Sequence, residues 1–483
     1  MRRFFLYSSA YAAVAVVLGV AACSVGSDCD FGMCSGPQVG NDGEAPPRDG
    51  GHDATPVDEC LNKPDAPECL DESKAFFVSS SKGNDATGDG SKAKPFKSVT
   101  SVLDKVSDTK RRIYICEGDY PEDVVLEAKH AGASLFGGFT CDWSTSKNRP
   151  KFGNTALALK ITGATGVAIA DIAFVAKDAT SPGASSIAAF VANSDVTFKR
   201  VSLTASNGAK GDNGVLSPFT FPADLNGNSA TSLDGGAEKP VRCPADPVGT
   251  VSTKGGNGGV SGAPGGDGTP GQSNKGSVAQ CDSENKGGGN GAAGAAPPPA
   301  AGASVIGMLA PDGWHPAPGV NGSNGGAGQG GGGGAGLVGG AGGGGGAGGC
   351  GGAGGGGGQG GGASIALVSF QSSMTFEASS LTSSTAGAGG DGVAGQPGQT
   401  PGGSRGTGSG TSCNGGNGGK GGDGAPGGGG AGGVSVGVVY KGSAPTLDTA
   451  TTAGINAGTK GGPGNGPGNA GIDGASAPTL EIK

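Results

Sequence analysis

Two hydrophobic rhythms run along the chain. FKSVTSVLDKVSD, from Phe96, places Val99, Val102, Leu103 and Val106 at i, i+3, i+4 and i+7, which predicts one short amphipathic helix over 96–107. Elsewhere the apolar residues alternate or run in short blocks between turn residues. AFFVSS from Ala75, RIYICEG from Arg112, DVVLEA from Asp123, ASLFGGF from Ala133 and ALKI from Ala158 therefore predict strands.

The strand pattern repeats. ITGATGVAIADIAFVAKD (161–178) aligns without gaps to FVANSDVTFKRVSLTASN (190–207), a shift of 29 residues, and the second copy aligns to 368–385, a shift of 178. Val167, Val196 and Met374 fall together, as do Ile169, Phe198 and Phe376, and Phe174, Leu203 and Leu381. A fainter copy begins at Ser435, with Val436 matching Ile187 and Ile365. Self-similarity at this period is the signature of a solenoid, in which each unit buries its apolar side on its neighbours. Strands with Gly, Asn, Asp and Ser at the turns favour an all-β parallel β-helix over the alternative, a β-sandwich.

Glycine occupies much of the sequence between these copies. From 319 to 361 it stands at every third position, with one exception at Leu337, and the same frame runs from Gly256 to Gly271 and from Gly415 to Gly433. A period of three fits the three residues per turn of polyproline II, whereas the absence of proline over 340–362 argues against a collagen triple helix. Two readings remain: extended glycine helices packed side by side and exchanging backbone hydrogen bonds, or disordered linkers. In either case 209–363 and 387–433 read as insertions leaving one turn of the solenoid and returning at the next. Lengthening a loop from a few residues to roughly 155 costs on the order of 3 kcal/mol, which a solenoid core tolerates. AGAGGDGVA (386–394) approaches a calcium-binding nonapeptide but stands alone, and such sites need tandem copies.

The ends add location. MRRFFLYSSAYAAVAVVLGVAAC has a charged start, an apolar run from Ala10 to Ala22 too short to favour a spanning helix, and small residues before Cys23. Val20-Ala21-Ala22-Cys23 resembles a bacterial lipobox, which implies that Cys23 is acylated and becomes the first mature residue; the alternative is an ordinary signal peptide with an incidental cysteine. Ser24 then implies sorting to the outer membrane. Cleavage removes Arg2 and Arg3 and no acid, taking the net charge from −8 to −10, which excludes nucleic acid as a partner.

Export permits disulfides. Beyond Cys23 there remain Cys29, Cys34, Cys60, Cys69, Cys116, Cys141, Cys243, Cys281, Cys350 and Cys413. The local pairs Cys29–Cys34, Cys60–Cys69 and Cys116–Cys141 are expected, with the last four left for the glycine-rich parts. No CxxC exists and His52, His130 and His315 are scattered, so disulfides are favoured over zinc, and no metal or cofactor is expected.

Catalytic patterns are sparse. Outward positions on three stacked turns read Asp171, Arg200, Ala378 and Ala170, Lys199, Glu377, so no pair of acids recurs, and Asp171 with Arg200 reads as a surface ion pair. His130 reads as a solvated loop residue. Trp314, in DGWHPAPG within the first insertion, is the candidate ligand contact, with a loop anchor as its alternative.

FFVSSSKGNDATGDGSKAKPFKSVTSVL, RIYICEGDYPEDV and ASLFGGF follow one another over about 75–145. This series resembles the opening of an exported family of unknown function with a pectate-lyase-like (pectin lyase-like) right-handed parallel β-helix, and the whole chain is similar to glycine-rich, PGRS-like bacterial lipoproteins. The resemblance implies that fold and a surface location, and supplies no catalytic residues. The predicted helix would then cover an open end of the solenoid.

The sequence thus divides into a signal peptide (1–22), a lipidated Cys23 with a flexible tether (23–73), an N-terminal cap and first turns (74–208), a glycine-rich insertion (209–363), a further turn (364–386), a second insertion (387–433) and final turns (434–483). The expected protein is a non-enzymatic, outer-membrane surface lipoprotein with a structural or adhesive role. Its expected partners are the membrane, through Cys23, and polysaccharide or a neighbouring cell surface. Two alternatives stand beside it: a polysaccharide-binding or -cleaving protein, and a self-associating coat.

Overall fold

The computed structural model describes residues 58–276 and 287–483. The architecture is all-β with almost no helix, and its main strands form three parallel sheets. The first sheet orders Ala75–Val78, Arg112–Cys116, Ser134–Phe139, Val167–Ala170, Asp195–Lys199, Ser373–Glu377 and Thr446–Leu447. The second runs from Val124–Glu127 through Leu157–Thr162, Ser186–Ala192, Ser364–Phe370 and Ser435–Lys441 to Ser476–Glu481. The third contains Gly118–Tyr120, Pro150–Phe152, Ala173–Val175, Ser202–Thr204, Ser380–Thr382 and Ile455–Asn456. From Leu157 onward each pass of the chain visits the second, first and third sheets in turn.

Strand register matches the sequence repeat. Val196 pairs with Val167 and Met374, Phe198 with Ile169 and Phe376, Leu203 with Phe174 and Leu381, and Ile365 with Ile187 and Val436. The shift of 29 fails at one end: Val191, not Phe190, pairs with Ile161. Four residues (163–166) turn the corner in one pass where three (193–195) suffice in the next. A different corner, between the first and third sheets, is left-handed in successive passes, at Asp171, Arg200 and Ala378 with φ of 57°, 52° and 46°.

Between the sheets, like side chains stack along the pairing direction. The Phe198 and Phe376 rings lie 4.5 Å apart, and Tyr120, Phe152 and Phe174 continue another column at 4.8 and 5.7 Å. These columns, with Val167, Val196 and Leu381, form one continuous apolar core. The predicted helix is a single turn, Thr100–Leu103, shorter than the span 96–107; Val99, Val102 and Leu103 are buried against the core beside Val124–Glu127. Glu122 fixes its start by accepting from the Val99 and Thr100 N–H groups at 2.8 and 3.0 Å. The expected tether also ends earlier than residue 73. Cys60, Leu61 and Cys69 are buried with Phe77, Tyr114 and Phe136, and Asp58 is ion-paired to Arg112 at 3.0 Å.

The glycine-rich segments form extended strings with no conventional strand pairing, joined sideways through the backbone. Gly319, Gly322, Gly325, Gly328, Gly331 and Gly334 donate to the carbonyls of Gly358, Gly355, Gly352, Gly349, Gly346 and Gly343, an antiparallel register advancing three residues at a time. Leu337, the break in the glycine frame, lies in the turn joining these two strings, where Gly340 N–H donates to its carbonyl. From Gly343 to Gly361 every third N–H donates onward to 413–431, while the next phase bonds 209–228 and 387–409. Residues 341–353 are consequently buried throughout, although their side chains are only hydrogen, methyl and one thiol-derived sulfur. A Cβ added at Gly345, Gly348, Gly351 or Gly354 would overlap a neighbouring carbonyl oxygen, so the spacing of the strings excludes any larger residue there. Of the two readings of the glycine frame, side-by-side packing is the one observed. A further glycine-rich segment, 457–474, absent from the expected organisation, joins the same lobe as Gly461 and Gly464 donate to the carbonyls of Gly433 and Gly430, while Gly471 and Gly474 donate back to Gly464 and Gly461.

Two cores therefore behave differently toward mutation. Phe198→Ala should cost about 3–5 kcal/mol by opening a cavity. Gly351→Ala should cost roughly 1–3 kcal/mol or more by overpacking, although it adds a single carbon. Gly462→Ala, with open space around it, should stay within about 0.5 kcal/mol of the parent. Denaturant unfolding of the three variants checks this order.

Candidate functional surface

The corner column is the first place where the sequence suggested chemistry. Arg200 holds Asp171 with two hydrogen bonds, Nε to Oδ1 at 2.8 Å and Nη2 to Oδ2 at 2.6 Å, so both lone-pair faces of the carboxylate are engaged. The guanidinium bonds hold Arg200 further in its charged form. One position earlier, Lys199 is in register with Ala170 and Glu377 and forms an ion pair with Glu377. Asp171 and Glu377 are thus each answered by a cation from the neighbouring pass.

The third sheet carries a groove of about 440 Å³, lined by Asp119, Lys151, Phe152, Lys177, Asp178 and Ser206. Asp119 and Lys151 are register partners on neighbouring strands, and the Asn207 N–H donates to Asp178 Oδ1 at 2.8 Å. Neither the corner column nor this register places two carboxylates opposite one another, as acid–base hydrolysis of a glycosidic bond requires. Mixed charge beside the Phe152 ring in this groove is suited to hydrogen-bonding a hydroxylated ligand.

Trp314 is not an exposed platform. It lies in the hairpin strand Gly313–Pro316, is 6 % exposed, and packs with Leu309, Phe190 and Ile365 on the outside of the second sheet. The insertion has its own apolar contact to the body, and Trp314 supplies it. His130 is likewise not a solvated loop residue. It is 4 % exposed, its Nδ1 accepts from the Glu127 N–H at 2.9 Å, and the two residues cap one short turn reciprocally. That bond places the remaining proton on Nε2, for which the described residues offer no acceptor.

Cysteine pairing follows the expectation for Cys60–Cys69 and Cys116–Cys141. In the lobe Cys243 is bonded to Cys350, tying the hairpin of Lys239–Val241 and Thr253–Gly255 to the central glycine string, and Cys413 is disulfide-bonded as well. Cys23, Cys29, Cys34, Cys281 and His52 lie outside the described residues. Among the described residues no group of His, Cys, Asp and Glu could hold a metal ion, and no helix is long and apolar enough to cross a membrane.

The lobe surface has an organisation that sequence reading missed. Asparagine and aspartate side chains accept the N–H groups of the adjacent string where no backbone carbonyl meets them. Asn321 and Asn324 take Gly357 and Gly354 at 2.8 and 3.0 Å, Asn213 takes Asp391 at 2.9 Å, and Asp391 takes Asn465 at 2.7 Å. The signal was available as asparagine recurring within the glycine frame, at 321 and 324 for instance. Its meaning needed the neighbouring string.

Comparison of the chain with protein-family models, with curated proteins and with solved structures finds no match.

Acid stability follows from the buried His130 and the half-buried Asp58. Burial lowers the His130 pKa from 6.5, the Lys129 charge adds to this, and the charges of Glu127 and Asp104 oppose it. The folded state thus prefers the neutral ring, and its contribution, complete above 6.5, is lost as the pH falls below that value. Burial raises the Asp58 pKa, but hydrogen bonds from Arg112, the Cys60 N–H and Ser134, with the Arg112 charge, outweigh it and hold the carboxyl below 3.8. Its contribution is complete above 3.8 and is lost on further acidification. The unfolding midpoint should therefore fall in two steps as pH decreases. His130→Asn, which retains an acceptor, should remove the upper step and Asp58→Asn the lower one, both read by thermal melts across pH.

Proposed function

We propose that the three parallel sheets are the faces of a right-handed parallel β-helix, and that the chain is a non-enzymatic surface lipoprotein. In this reading Cys23 anchors it to the outer membrane and the glycine lobe acts as a structural or adhesive element. The observation that carries the proposal is the lobe itself. Its interior strings are bonded on several sides through the backbone, so their relative positions are fixed without side-chain packing. Such a body is stiff and presents Asn, Asp, Ser, Thr and Lys outward from fixed positions, which suits display and contact better than turnover.

The groove on the third sheet favours polysaccharide as the second reading. Lys151, Lys177, Asp119 and Asp178 line it, and their mixed charge can meet hydroxyl and carboxylate groups of a glycan. A self-associating coat is the remaining alternative.

Residues 24–483, produced with disulfides intact, would be incubated with polysaccharides and whole cells, and retention and newly released sugar ends measured. Retention without new ends is expected. Lys151→Ala with Lys177→Ala should reduce retention about tenfold if the groove binds glycan, a change corresponding to about 1.4 kcal/mol. New sugar ends would overturn the non-enzymatic reading. In cells, Cys23→Ala should move the protein from the membrane to the soluble fraction; unchanged fractionation would overturn the lipid anchor.

A further inference from the structure

Three reactive side chains from distant parts of the chain meet on the first sheet. Lys199 Nζ donates to Asn62 Oδ1 at 2.7 Å, across 137 residues of sequence, and the same ammonium is ion-paired to Glu377 on the next strand. Among the described residues, Lys199 is the lysine whose ammonium bonds both a side-chain carboxamide and a carboxylate. Its side chain is 17 % exposed, held between the strands of Ala170 and Glu377. Asn62 ends the short turn Glu59–Leu61, which Leu61 plants against Ala168 and Ala170 of that sheet.

We propose that Lys199 and Asn62 form an intramolecular isopeptide bond, with Glu377 as the proton-transfer group. The starting hydrogen bond holds the nitrogen nucleophile against the carbonyl it must attack, and a small rotation of the Asn62 carboxamide turns its Cγ toward Nζ. Glu377 takes a proton from the Lys199 ammonium, and the freed lone pair attacks Cγ, sending the C=O electrons to Oδ1. Glu377 delivers its proton to Nδ2, collapse of the intermediate re-forms the carbonyl and breaks the Cγ–Nδ2 bond to expel ammonia, and Glu377 passes the second proton of the attacking nitrogen on to that ammonia. Ammonium leaves, one new amide joins the two side chains, and the carboxylate is regenerated. Nothing is oxidised or reduced, and no co-reactant is needed.

The position gives the bond a use. Residues 58–70 form the disulfide loop through which the described chain enters the body, and noncovalent contacts with Arg112, Ser134 and Lys199 hold it there. An amide from Asn62 to Lys199 would make that junction covalent independently of the cysteines. The inference stands apart from the proposed surface role, since the cross-link can form whatever the protein binds.

The full-length chain would be purified, reduced, digested and examined by mass spectrometry. A branched peptide containing both Asn62 and Lys199, lighter than its two components together by one ammonia, is expected. Lys199→Arg should abolish it, and Glu377→Gln, which retains shape, should reduce its yield at least tenfold while circular dichroism remains unchanged. Recovery of separate Asn62 and Lys199 peptides from the wild-type chain would overturn the proposal. A branched peptide formed equally well in Glu377→Gln would remove Glu377 from the mechanism.

Discussion

Backbone hydrogen bonding between neighbouring passes of the chain organises both the sheets and the glycine-rich lobe of this molecule. In the sheets the second and third passes pair at a shift of 178 residues, Val196 with Met374 and Leu203 with Leu381. The same shift does not stop where the strands do. Asn207 Oδ1 still accepts from Thr385, and Asn213 from Asp391, well inside the glycine-rich region. Gly208, Gly211 and Gly214 donate to the carbonyls of Thr385, Ala388 and Asp391 in the same direction. The lobe is therefore continuous with the sheets, as the same neighbouring passes exchange a pleated for a three-residue period without losing alignment.

That exchange explains the composition. A pleated strand bonds two neighbours and leaves two faces for side chains, so its core must be filled by groups such as Phe198 and Phe376. A string with three residues per turn points its backbone groups in three directions and can bond neighbours on several sides, provided no Cβ stands between them. Glycine loses more conformational entropy on ordering than other residues, and the lobe offsets this with a dense set of lateral hydrogen bonds. Alanines 341, 347 and 353 are accommodated at fully or nearly fully buried positions. The disulfide between Cys243 and Cys350 adds a covalent tie to a region that has little apolar surface to bury.

The parallel strands and their register were legible because inward positions repeat in kind: Val, Val and Met, or Ile, Phe and Phe, are visible in a single sequence. What escaped depends on surroundings that a linear pattern does not carry. The slip at Ile161 comes from a corner one residue longer in one pass, which an ungapped alignment conceals. Residues 58–73 look polar enough for a tether, yet Leu61 and the Cys60–Cys69 bond supply just enough apolar surface to dock them. Trp314 and His130 are each flanked by turn residues; the burial of Trp314 is decided by Phe190 and Ile365, far away in sequence, and His130 is held by its reciprocal cap with Glu127. Glycine periodicity was plain, whereas the identity of each string's neighbours, and hence the part played by Asn321 or Asn324, was not.

The lateral bonding also bears on how the chain ages. Asparagine followed by glycine is the pairing most prone to spontaneous deamidation, because the next residue's amide nitrogen can attack the side-chain carbonyl and close a succinimide ring. The lobe contains many such pairs, among them Asn213-Gly214, Asn321-Gly322 and Asn324-Gly325. In each, the attacking nitrogen is committed elsewhere: Gly214 donates to Asp391, Gly322 to Gly355 and Gly325 to Gly352. The side-chain carbonyls are themselves occupied by the N–H groups of Asp391, Gly357 and Gly354. Ring closure would have to break both bonds and twist a string out of its bundle, so the packing that removes side chains from this core also shields its asparagines from slow chemical decay.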